Sequence, residues 1–175
     1  MRRNKGFSLI ELLIVVAIIL IIAAIAIPNL MRARMAANDS SAAASERSIV
    51  TGEVGYYSAY PTIGFPVNLV PLGGPLGAAC IPAVANACLI DSVLANDGNP
   101  AGGGKSGYFF AALGAPVGGA AINTVFYTSG WPISNQSGTR SYCAKEDGVI
   151  RLQAPAVLTQ VASEAACQVL NSMNQ

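Results

Sequence analysis

From Phe7 to Ile27 every position is apolar except Ser8 and Glu11. A run of about 21 such residues predicts a helix of ~31 Å, long enough to cross the hydrocarbon core of a bilayer. From Asn29 to about Tyr60 the chain turns to Ala, Arg, Met, Glu and Ser, with no proline until Pro61. That stretch predicts an amphipathic continuation of the same helix. Its apolar stripe reads as Leu30, Ala33, Ala37, Ala44 and Ser48, thickened by Ile49, Val50, Val54 and Tyr57. Pro28, which lacks an N–H and crowds the preceding turn, is expected to kink the helix, and Gly52 and Gly55 weaken its last turns. Unbroken from Phe7 to Ala59, the helix would measure ~80 Å, so it is expected to protrude from any domain this small.

Residues 61–107 are rich in Gly, Pro, Ala and Asn and predict a long loop. Beyond it, Tyr108–Leu113, Ile122–Thr128, Thr139–Lys145 and Val149–Leu152 are β-branched or aromatic runs bounded by turn residues. Asp147-Gly148 is a hairpin signal between the last two. These runs predict an antiparallel sheet of about four strands packed on the C-terminal end of the long helix, an α+β fold. Ala156–Leu170 is expected to form a short helix.

Composition narrows the function. Only 11% of the 175 residues are charged, against 53% hydrophobic, and the net charge is +1. No basic field points to nucleic acid. Histidine is absent, which removes the usual general base and the commonest zinc ligand. With no CxxC spacing either, neither a metal site, a cofactor nor a catalytic constellation is expected. Gly102 to Ser106 reads GGGKS, yet a phosphate-binding loop needs glycine at position 99, which is Asn99. Two glycosylation triplets, at Asn38 and Asn135, carry little weight. The four cysteines, Cys80, Cys88, Cys143 and Cys167, all follow the span; in an oxidising compartment they read as two disulfides with three possible connectivities.

Arg2, Arg3 and Lys5 precede the span, favouring a cytoplasmic N-terminus. Ala24-Ile25-Ala26 resembles a signal-peptidase site, but the apolar run before it exceeds the usual ~7–15 residues. Glu11 fits a capping box with Ser8 as N-cap, and Phe7 and Leu12 fit the flanking hydrophobic staple. The helix dipole also favours an acid there. Even so, a carboxylate at membrane depth costs up to ~2.5–3.5 kcal/mol, so a partner for it is sought.

Lys5-Gly6 followed by FSLIELLIVVAIILIIAAIAIPNL closely resembles the N-terminus of type IV pilins and of the related pseudopilins of type II secretion. The likeness is specific over about the first 35 residues. It implies cleavage by a prepilin peptidase after Gly6, N-methylation of the new N-terminal Phe7, and pairing of Glu11 with the Phe7 ammonium of a neighbouring subunit. Methylation keeps the amine's charge, and a setting away from water strengthens the attraction. The family's helix-softening proline maps to Pro28.

The resemblance therefore implies a pilin fold with a leader at residues 1–6, a transmembrane and assembly half of the helix at 7–27, and an amphipathic half at 28–60. A globular head at 61–175 would comprise an αβ-loop at 61–107, the sheet at 108–152 and a disulfide-tied region at 153–175. The preferred pairing is Cys80–Cys88 and Cys143–Cys167, the latter resembling the C-terminal disulfide loop of pilins. The function implied is that of a non-enzymatic subunit of a homo-oligomeric filament. It would be held in the bacterial inner membrane, handled by the pilus assembly machinery and then exported to an extracellular pilus serving adhesion, twitching motility or DNA uptake. A major pseudopilin is the first alternative, although the calcium-binding acidic loop of that group would have only Glu146-Asp147 here. A signal-bearing secreted domain or membrane-anchored enzyme is the second. Conduction along stacked aromatics is disfavoured, because the helix has none between Phe7 and Tyr56.

Overall fold

The computed structural model describes residues 7–97 and 103–173. Helix α1 runs from Leu9 to Ala59 and contains Pro28 without a break in the helical assignment. The chain divides within α1 into two compact units, Met1–Arg34 and Met35–Gln175.

In the second unit, α1 is followed by a single 3-10 turn, Val70–Leu72, and a short helix α2, Ser92–Asn96. The long loop therefore carries structure of its own. Asp91 caps α2 by accepting from the Leu94 N–H at 3.0 Å. Segment 71–73 pairs with 87–90 through four backbone bonds, including Leu89 N–H to Leu72 O at 2.7 Å. The Cys80–Cys88 disulfide closes the turn between them.

Five antiparallel strands follow in a meander, β1 (Tyr108–Ala115), β2 (Val125–Pro132), β3 (Ser141–Lys145), β4 (Arg151–Gln153) and β5 (Asn171–Ser172). Four of them correspond to the runs read from the sequence, and the fifth is a two-residue strand pairing with β4. Gly148, at φ +70°, forms the β3–β4 turn, its N–H bonded to Lys145 O. The C-terminal helix is shorter than expected: α3 spans only Glu164–Gln168, starting where Ser163 supplies an N-cap to Ala166. The stretch before it is held extended against the sheet, with Val157 N–H bonded to Ser141 Oγ and Val161 N–H to Ser129 Oγ, both at 2.9 Å.

Alternation along the strands sends Tyr108, Phe110, Ala112, Phe126, Thr128, Tyr142 and Ala144 inward. Most of these join one core with Ala42, Ile49 and Tyr56 of α1 and Leu69, Leu72, Ile90 and Leu94 of the loop. Burying each large side chain contributes about 1.5–3 kcal/mol before entropy is counted. On the opposite face Cys143, Val161 and Cys167 form a second, smaller cluster, so β3 is covered on both sides.

The β1 edge is occupied by loop groups. The Phe110 N–H donates to the Asp97 carboxylate and the Gly114 N–H to Pro66 O at 3.0 Å. Such cover leaves fewer open ladder positions for another strand. Gly114 makes the approach possible, because a Cβ there would lie 2.5 Å from Pro66 O.

Candidate functional site

The first unit is an apolar helix that buries almost nothing within the chain. Residues 7–22 and 24–34 are exposed around the whole circumference, Phe7 by 81% and Leu20 by 64%. The helix is long and apolar enough to cross a membrane. A helix that is hydrophobic on all sides requires a partner for all of them, lipid or protein.

Glu11 sits in the first turn of this helix. Its Oε2 accepts the Ser8 N–H at 2.9 Å, while Leu12 N–H donates to Ser8 O at 3.2 Å. This is the carboxylate half of a capping box: an otherwise orphaned donor at the helix start finds its acceptor. Glu11 is exposed, and Oε1 takes no hydrogen bond among the described residues. One oxygen can cap while the other remains open to a cation. Gly6, at the expected cleavage point, lies outside the described residues.

Two disulfides join the four cysteines, Cys80–Cys88 and Cys143–Cys167. The second ties α3 to β3 across the outer face of the sheet. Glu146 and Asp147 are both engaged by cations. Arg151 grips Asp147 with two bonds of 3.2 and 2.6 Å, and Lys145 bridges Glu146 at 3.3 Å and Glu164 at 3.0 Å. The Arg151 bonds hold the Asp147 carboxyl below its ordinary value.

The helix face turned to the sheet differs from the expected stripe. Ala37, Ala44, Ser48 and Val54 are exposed, whereas Asp39, Ala42, Glu46, Ile49, Glu53 and Tyr56 are buried. The buried set follows an alternating three-and-four spacing, which is helical, but half of its members are acids. Seeking only apolar periodicity therefore shifted the stripe around the helix. A signal was available, since Asp39, Glu46 and Glu53 recur every seven residues.

Each acid has a different environment. Asp39 accepts from the Tyr108 hydroxyl, from Thr139 N–H at 3.0 Å and from Thr139 Oγ1 at 2.6 Å. Among the described residues Glu46 accepts only from Thr128 Oγ1, at 2.6 Å, and its Oε1 has no partner. Glu53 has no partner on either oxygen among the described residues. Burial pushes Glu46 up to about 7, against the lowering influence of Thr128, and pushes Glu53 up to about 8.

At the far end of α1 the aromatics pack together. Tyr57 stacks on Phe65 at 4.8 Å and Phe65 meets Phe126 at 4.6 Å, while the Tyr56 hydroxyl donates to Val84 O at 2.8 Å.

Residues 1–27 match a family model described as the prokaryotic N-terminal methylation motif. Over 40 residues, 23% of this chain, it is 68% identical to the type IV wide pilus major component PilA4 of Thermus thermophilus. Over 89 residues, 49% of this chain, it is 36% identical to the type IV major pilin protein PilA of Myxococcus xanthus. Through its N-terminal segment the chain is similar to type IV pilins. The aligned stretches cover 30% and 40% of those pilins' own lengths. No solved structure matches the chain significantly. The chain joins the motif-bearing apolar helix to an α+β fold with a five-stranded antiparallel sheet and two disulfides.

Proposed function

We propose that this chain is a structural subunit of a type IV pilus. Prepilin peptidase removes residues 1–6 after Gly6, and Phe7 becomes the methylated N-terminus. The subunit waits in the inner membrane by its 7–27 segment until the assembly machinery moves it into an extracellular filament. There the same segment packs among copies of itself, with Glu11 facing the Phe7 ammonium of a neighbour and Pro28 softening the helix. Residues 28–60 and the head at 61–175 form the outer part of the subunit.

The observation that carries this reading is a helix end apolar on every side, bearing the methylation motif and one carboxylate with an oxygen unpartnered among the described residues. Lipid is already apolar, so moving such a helix into a bundle gains little hydrophobic energy. Packing and the Glu11 pair must direct it. A pilus is favoured over a secretion pseudopilus because both relatives are named as pilus components and because Glu146 and Asp147 are already engaged by Lys145 and Arg151.

N-terminal sequencing and mass spectrometry of the mature protein test the proposal. Methylated Phe7 is the expected first residue. A mature chain beginning at Ile27 would instead identify a cleaved secretory signal and end the pilin processing scheme.

A further inference from the structure

Glu46 and Glu53 lie two helical turns apart on one face of α1, and both are fully buried. Three of their four carboxylate oxygens have no hydrogen-bond partner among the described residues. Native interiors rarely leave such atoms unsatisfied, and a buried unpaired carboxylate is far costlier than a neutral carboxyl. The surroundings supply no counter-charge among the described residues. Around Glu46 stand Thr128 and Gly130 of β2, with the Phe110 ring of β1 against Gly130. Beside Glu53, Gly52 packs on Leu72, Leu89 and Ile90, all apolar.

The titratable groups facing this interface are tyrosines: Tyr56 from α1, Tyr60 just after it, Tyr108 from β1 and Tyr142 from β3, together with Asp39. Among the described residues the single cation acting there is Arg140, whose charge is felt at Tyr142. Neither glutamate takes part in a salt bridge among the described residues.

We propose that Glu46 and Glu53 form a proton-operated latch between α1 and the sheet. With both carboxyls protonated, the helix face closes on the core. When they ionise, two like charges without cations sit inside one packed interface, and the last turns of α1 loosen from β2 and from the 71–90 segment. Gly130 shows how tightly the first of them is held: a Cβ there would lie 2.7 Å from Glu46 Oε1 and 3.0 Å from the Phe110 ring. The interface has no room for a hydrated carboxylate without movement.

The direction with pH follows from linkage. In the unfolded chain both carboxyls release their protons near 4.5, whereas in the folded chain they hold them to about 7 and about 8. Below 4.5 both states are protonated and the pair contributes nothing to pH dependence. Between 4.5 and about 8 the unfolded state binds fewer protons, so stability falls as pH rises. Above about 8 the loss is complete and levels off.

Thermal unfolding of the full chain in detergent micelles, followed by near-ultraviolet circular dichroism from about pH 5 to about pH 9, tests this. The midpoint should fall steadily across the window and then flatten. The Glu46→Gln, Glu53→Gln double variant should remove the fall and melt higher than wild type at the alkaline end. A wild-type midpoint that is flat or rising, or a double variant that keeps the fall, overturns the latch. Should the double variant not fold, infrared spectra of the wild type decide. A carboxylic-acid carbonyl band present at neutral pH and lost on alkalinisation supports the proposal, and its absence at neutral pH overturns it.

Discussion

Thr128 Oγ1 donates to Glu46 Oε2 at 2.6 Å, joining the centre of β2 to the buried face of α1. The same hydroxyl accepts from Ala144 N–H at 3.1 Å, so one side chain bridges helix, β2 and β3. Thr128→Val keeps the shape but leaves Glu46 without any donor and Ala144 without its acceptor. The variant should lose about 1–3 kcal/mol of stability, measured by denaturant unfolding. Unchanged stability would mean that Glu46 draws nothing from the sheet.

Asp39 anchors the other end of this face. Its partners come from β1 and from the segment before β3, at sequence distances of 69 and 100 residues. Asp39→Ala strands the Thr139 N–H and hydroxyl, while the Tyr108 hydroxyl keeps Arg140 O at 2.8 Å, and should cost about 2–3 kcal/mol, whereas Tyr108→Phe removes one donor and should cost about 1 kcal/mol. Because the two share a bond, their effects should not add. The double variant should fall short of the sum by at least about 0.5 kcal/mol in a double-mutant cycle.

The two disulfides close loops of different size, with sequence separations of 8 and 24. In the chain-entropy picture the longer loop restrains the unfolded state more, by about 3.5 against about 2.5 kcal/mol. Replacing Cys143 and Cys167 by serine should therefore lower the melting temperature more than replacing Cys80 and Cys88. It also frees α3, so amide exchange should rise in residues 156–172 and leave α1 little changed. An equal loss from both pairs would show that strain or residual structure, not loop length, sets their worth.

Glu11 has a role inside its own helix and, in the proposed filament, a second one between subunits. Glu11→Gln keeps an amide oxygen able to accept the Ser8 N–H but removes the charge. Helix content in micelles should stay close to wild type while filament yield in electron micrographs drops sharply. Normal filaments from this variant would leave Glu11 with capping alone.

What lay open in the sequence was local. The apolar run 7–27, the acid placed three residues after Ser8, and the β-branched runs around Asp147-Gly148 each announce structure through nearest neighbours. Helix α1 and four of the five strands follow from them. Even the Glu11 cap is a contact over three residues. What the tertiary structure decided depends on residues far apart in the chain. Thr128 meets Glu46 across 82 positions, and only that meeting reveals that acids, not Ala44 or Ser48, face the sheet. The extended run before α3 is held by Ser129 and Ser141, which lie on other strands, so it could not become the longer helix expected of Ala156–Leu170. Strand β5 exists only because β4 offers it an edge. A helical or strand period reports which residues share a face. Which face is buried, and what is tolerated there, depends on the surface that arrives opposite it, and at Glu46 and Glu53 that surface brings no cation among the described residues.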